Sequence, residues 1–107
     1  KENIESLSYG LKEIMAMRPV SYTLKRDPFG DKKLGLIAQE ALLIVPEAVK
    51  THDNKIINED SGKYERIELE RMGMTYQQLI PVLIQATQEQ QELINQLRKE
   101  IEVLKNE

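Results

Sequence analysis

The chain reads as an α+β protein: a small domain made of an N-terminal helix, short β-hairpins and a short helix, followed by a long C-terminal helix that forms a parallel coiled coil. Three observations predict this. Apolar residues recur at three- and four-residue spacing near the start. Short alternating runs broken by turn clusters fill the middle. A heptad repeat runs through the last third. The expected division places residues 1–74 in the small α+β domain and 75–107 in a kinked helix that serves oligomerisation.

Lys1 to Met17 places Ile4, Leu7, Leu11, Ile14 and Met15 on one face of an amphipathic helix. Gly10 weakens that helix and Pro19 ends it at or before Arg18. Val20 to Lys25 alternates with β-branched and aromatic residues and is expected as a strand. The cluster Asp27-Pro28-Phe29-Gly30-Asp31 is a turn, and Lys33 to Ile37 is the returning strand of a hairpin. Ala38 to Ile44 is a short apolar helix stopped by Pro46. Ala48 to Thr51 is expected as a strand, turning at His52-Asp53-Asn54 into Lys55 to Asn58. Glu59 to Lys63 is a polar loop, and Tyr64 to Leu69 a further strand.

The long helix is expected from Thr75 to Glu107, with Thr75 and Gln78 at capping-box spacing and Met74 and Leu79 placed as a hydrophobic staple. Pro81 lies inside it and is expected to remove a backbone bond and kink it within the first turns. Ile80, Thr87, Ile94 and Ile101 share one heptad position, and Leu83, Gln90, Leu97 and Leu104 the other. That spacing holds for roughly four heptads, and such a helix is about 45 Å long, too long for a small domain to cover. Glu100 and Lys105 flank the seam where they could pair between helices, and the polar Thr87/Gln90 step selects register or strand number. The seam alone leaves two or three strands open, and Leu93 beside Ile94 keeps open a surface helix packed on its own domain.

With 107 residues and a net charge of −3, the chain is one domain plus the helix, and it lacks the clustered cations of a nucleic-acid surface. No run is apolar enough to span a membrane as a helix, and no secretory signal stands at the start. The chain opens at Lys1 without a Met, as a fragment or processed product would. The absence of Cys and the single His52 argue against disulfides, thiolate or His metal sites and a Ser-His-Asp triad, so no metal and no cofactor are expected. Asp27 with Asp31, and Glu59 with Asp60, could be read as cation loops, but their spacing fits plain turn chemistry better. His52 reads as a turn residue, Lys32-Lys33 as a solvated strand start, and Arg18 as a charge favoured at a helix end.

Three stretches, in order, resemble one family. Lys1-Glu2-Asn3-Ile4, Leu11-Lys12 and Met17-Arg18-Pro19-Val20-Ser21-Tyr22 are similar to its opening. Leu34-Gly35-Leu36-Ile37-Ala38-Gln39-Glu40, running to Val45-Pro46-Glu47-Ala48-Val49, resembles its most recognisable segment. Thr75-Tyr76-Gln77-Gln78-Leu79-Ile80-Pro81-Val82-Leu83-Ile84-Gln85-Ala86 looks like its closing helix. The family is the endosialidase-type C-terminal intramolecular chaperone of phage tailspikes and tail fibres, which includes self-cleaving serine peptidases.

The resemblance implies a homotrimer that holds three chains in register while an upstream β-rich fibre folds, and is then cut off by a Ser-Lys dyad. It implies the bacterial host cytoplasm as the place of action, with the domain absent from the mature virion. Its partners would be two further copies and the upstream segment of the same polypeptide, with no nucleic acid and no membrane. In the family's Ser-Asp-x-x-x-Lys stretch the Lys matches Lys1, which makes Lys1 the candidate general base and places the serine five residues before it, so the chain as it stands is expected to be inactive. An ordinary solvated charge remains the alternative for Lys1. Gln39 and Glu40 match the family's Gln-Glu pair, with Gln39 a candidate polar contact near the cut and Glu40 structural. Two other readings stand beside this one: a non-catalytic trimerisation or anchoring module that stays attached to its fibre, and, disfavoured by the acidic balance, a DNA-binding regulator with a related trimerising domain.

Overall fold

The structure, a computed structural model, describes residues 1–58 and 62–107. In chain order it contains α1 (Leu11–Ala16), β1 (Val20–Tyr22), β2 (Lys33–Gly35), α2 (Ala38–Leu42), a 3₁₀ turn (Pro46–Ala48), β3 (Val49–Asn58), β4 (Lys63–Met74), a second 3₁₀ turn (Tyr76–Gln78) and α3 (Leu79–Lys105). The class is α+β with short hairpins and a long C-terminal helix, as expected. The cation-loop pair Glu59 and Asp60 lies outside the described residues.

The chain divides into two compact units, Lys1–Ala16 with Gln78–Glu107, and Met17–Gln77. Within the first of them α1 packs on α3.

In the first unit, α3 buries Leu79, Val82 and Ala86, spaced three and four apart as one helix face. The N-terminal helix is much shorter than its apolar spacing predicts. Lys1 to Gly10 is not helical, and Asn3 sits at a φ of 54° in the left-handed region. Gly10 is where the helix starts, since the first helical bond runs from the Ile14 N–H to the Gly10 carbonyl at 3.1 Å. The expected capping box at Thr75 does not form. The Thr75 N–H donates instead to the Ala48 carbonyl at 2.7 Å, and Gln78, the residue before α3, makes no side-chain cap bond. Pro81 removes no helical bond. It occupies the third position of α3, where the N–H has no carbonyl within the helix to lose, and α3 runs unbroken for 27 residues, about 40 Å.

In the second unit, β1 and β2 form the expected antiparallel hairpin, with Val20 opposite Gly35 and Tyr22 opposite Lys33. Its connection is organised by Asp27. The Asp27 carboxylate accepts the N–H groups of Phe29 at 2.9 Å and Asp31 at 3.0 Å, while Gly30 takes a φ of 63°. An acidic side chain bound to backbone in this way is a turn device, as the spacing indicates. Ala41, Val45, Ala48 and Val49 are buried and form this unit's core around α2 and the first 3₁₀ turn. Val45, at φ −133° and ψ 87°, lies outside the helical region that a following proline disfavours, and Pro46 opens the turn.

β3 and β4 pair as one long antiparallel hairpin of 10 and 12 residues. The expected turn at His52-Asp53-Asn54 is corrected: these residues continue the strand and pair with Glu68, Ile67 and Arg66. β4 extends well past the expected Tyr64–Leu69 run and supplies partners across the Asp-Asn step, so pairing overrides local turn preference. The register shifts between Lys50 and His52 and again between Ile56 and Asn58.

The buried face of α3 gives a test. Leu79→Ala should cost about 2–5 kcal/mol in urea unfolding, because a buried Leu leaves a cavity. Leu93→Ala, on an exposed position off the seam, should change stability by no more than about 0.5 kcal/mol.

Candidate functional site

The three motif stretches meet within Met17–Gln77. Arg18, from the first, reaches Glu40, from the second, in a two-point ion pair: Nε donates to Oε1 at 3.1 Å and NH2 to Oε2 at 2.6 Å. Arg18 is therefore not a helix-end charge. It lies beyond the last residue of α1 and is held by a carboxylate on α2. The fork geometry of guanidinium on carboxylate fixes the relative angle of the chain leading into β1 and the first turn of α2.

Tyr76, from the third stretch, joins the second. Its hydroxyl accepts the Leu36 N–H at 3.0 Å. Gly35 allows that approach: a Cβ there would collide with the Tyr76 hydroxyl oxygen and lie 3.3 Å from Cε1 of Tyr22. Pro19, Val20, Leu34, Gly35, Leu36 and Tyr76 line an open apolar groove of about 520 Å³. Residues from all three stretches thus form one wall system around β1 and β2, with Leu34 projecting into solvent.

Gln39 lies exposed on α2, next to the ion-paired Glu40. Lys1 lies exposed at the start of the non-helical segment of the other unit. His52, in β3, has its Nδ1 at 2.8 Å from the Thr51 hydroxyl. Among the described residues no group of three or more His, Asp or Glu side chains comes together to hold a metal ion.

Of the seam residues on α3, Ile80, Leu83, Ile94, Leu97, Ile101 and Leu104 are all substantially exposed in the single chain, Leu97 by 56% and Leu104 by 66%. From residue 90 to the end of α3 no side chain is buried. The Thr87 hydroxyl donates back to the Leu83 carbonyl at 2.8 Å and so satisfies its own donor along the seam.

A contact that the sequence does not reveal lies at the start of α1. The Glu13 carboxylate accepts the Gly10 N–H at 2.8 Å, the helix-internal half of a capping box. Glu89, 78 residues downstream on α3, accepts the Leu11 N–H at 2.8 Å, and Gln85 Nε2 donates to the other Glu89 oxygen at 3.3 Å. Gly10 followed by Glu13 was a legible half of this signal. Glu89 carried none, since nothing local distinguishes it from a solvated helix charge.

The arrangement comprises a small α+β unit built on a hairpin held by residues of the motif stretches, and a long helix that carries a line of exposed apolar residues. A sequence model of the family described as "Chaperone of endosialidase" matches residues 1–50. It is the family recognised from the motifs, and two of the three motif stretches lie inside the match; the third, at the start of the long helix, lies beyond it. No curated protein matches the chain.

The Arg18–Glu40 pair sets a pH dependence. Its hydrogen bond with Arg18, helped by the guanidinium charge and opposed by desolvation, holds the Glu40 carboxyl below the usual carboxylate range. A carboxyl with a folded-state pKa below its unfolded one binds fewer protons when folded, so its contribution is present above the unfolded pKa and is lost as pH falls through the folded one. The stability gap between wild type and Glu40→Gln should therefore be present near neutrality, close on the acid side of the ordinary carboxylate range, and shrink with added salt because both groups are exposed. Urea midpoints across pH measure it, and a gap that widens on acidification would reverse the assignment.

Proposed function

We propose that this chain is an intramolecular chaperone that trimerises through the α3 seam and holds three copies of an upstream β-rich fibre or tailspike segment in register while that segment folds. The supporting observation is the exposed line of Ile80, Leu83, Ile94, Leu97, Ile101 and Leu104 on a helix joined to a region that carries the chaperone family's sequence. Burying such apolar positions against copies of themselves removes them from water, at about 25 cal/mol per Å². Parallel zipping at one end raises the effective concentration of the three upstream segments before their slow, non-local strand pairing begins. The proposed place of action is the cytoplasm of a bacterial host during virion assembly.

The release step belongs to the same proposal. A serine five residues before Lys1 is the nucleophile, and Lys1 is its general base. Cutting after folding removes the assembly aid and leaves a fibre whose stability is kinetic.

Sedimentation equilibrium of the 107-residue chain should give three protomers, and a monomer at micromolar concentration would end the assembly proposal. Ile94→Asp or Ile101→Asp should abolish assembly by placing a charge in the seam, while circular dichroism still reports folded hairpins. In a longer chain that carries the serine, Lys1→Ala should stop cleavage and leave trimers intact. Processing at the wild-type rate would remove Lys1 from the mechanism.

A further inference from the structure

The first ten residues carry the apolar spacing of a helix and are not helical. Ile4 and Leu7 would extend the stripe of Leu11, Ile14 and Met15, yet Ile4 is 83% exposed. If α1 continued upstream, the N–H groups of Gly10 and Leu11 would bond to the carbonyls of Ser6 and Leu7. Both N–H groups are taken by carboxylates, Gly10 by Glu13 and Leu11 by Glu89, each at 2.8 Å. Glu13 is local and would act in an isolated segment. Glu89 comes from α3, where Gln85, one turn earlier, holds its second oxygen. Gly10 makes room for it: a Cβ at that position would lie 2.6 Å from Glu89 Oε2 and 2.7 Å from its Cδ.

We propose that Glu89 is a positioning residue: its carboxylate stops α1 at Leu11 and keeps Lys1–Tyr9 out of the helix that its own sequence favours. The purpose assigned to it rests on the self-cleavage reading above. Lys1, the proposed general base, lies in this segment, so the direction in which it and the residues before it leave α1 follows the non-helical path and not a continued helix axis. Glu89 directly precedes the seam residue Gln90 on α3, so the helix proposed to assemble the chains also sets the conformation of the segment that leads back to the cut. Processing would then depend on a folded α3 through one side chain.

The test uses the 107-residue chain first. Glu89→Ala and Gly10→Ala should each turn the Cα chemical shifts of Ile4–Tyr9 helical. The double variant should raise helical ellipticity by about a quarter, as nine residues join helices of 6, 5 and 27. Glu89→Gln, whose amide oxygen still accepts the Leu11 N–H, should resemble wild type. Non-helical shifts in Glu89→Ala, or loss of α1 itself, overturn the helix-stop role. In a longer chain that carries the serine, Glu89→Ala should cleave at least about tenfold more slowly while sedimenting as wild type does, with Glu89→Gln restoring most of the rate. Cleavage of Glu89→Ala at the wild-type rate overturns the positioning role. If the wild-type longer chain does not cleave at all, the self-cleavage reading fails, and the chemical shifts alone decide whether Glu89 stops the helix.

Discussion

α3 carries two apolar stripes, and among the described residues only one is buried. Leu79, Val82 and Ala86 face inward in a unit where α1 packs on α3, while the line from Ile80 to Leu104 runs beside them on the next face and stays in water. At about 100° per residue, one helix can present two such stripes side by side without sharing a residue. α1 is short beside α3: six residues span only about 9 Å against a helix that is about 40 Å long.

The length of α1 is set by polar groups rather than apolar ones. The spacing of Ile4, Leu7 and Leu11 argues for a longer helix, but it counts only apolar matches and ignores where the backbone donors go. At Gly10 and Leu11 the donors find carboxylates, and charge-assisted bonds of this kind are stronger than the neutral ones of a helical ladder. Gly10 adds to the stop, being a poor helix former in the one place where a side chain would strike Glu89.

In the other unit, residues of the three family-like stretches are joined by the backbone pairing of Val20 with Gly35, by the Thr75 to Ala48 bond and by side-chain contacts. Arg18 with Glu40 ties the first to the second, and Tyr76 with Leu36 ties the third to the second. The second stretch is thus the hub, with its Gly35 packed beneath a tyrosine and its Glu40 holding an arginine. Glu40 is the carboxylate that holds Arg18, and Gln39 beside it lies exposed on α2.

The sequence by itself determined the class of the fold, the β1–β2 hairpin, the Asp27 turn, the helix before Pro46 and the existence of a long amphipathic C-terminal helix. All of these rest on local periodicity or on turn and proline chemistry, which act over a few residues. Tertiary structure alone decided where α1 begins, that β3 passes straight through His52-Asp53-Asn54, that Thr75 gives its N–H to Ala48 rather than to a capping box, and that Arg18 belongs to Glu40. Each of these was decided by a partner between 12 and 78 residues away, and a distant hydrogen-bond partner leaves no trace in the local pattern of apolar and polar residues.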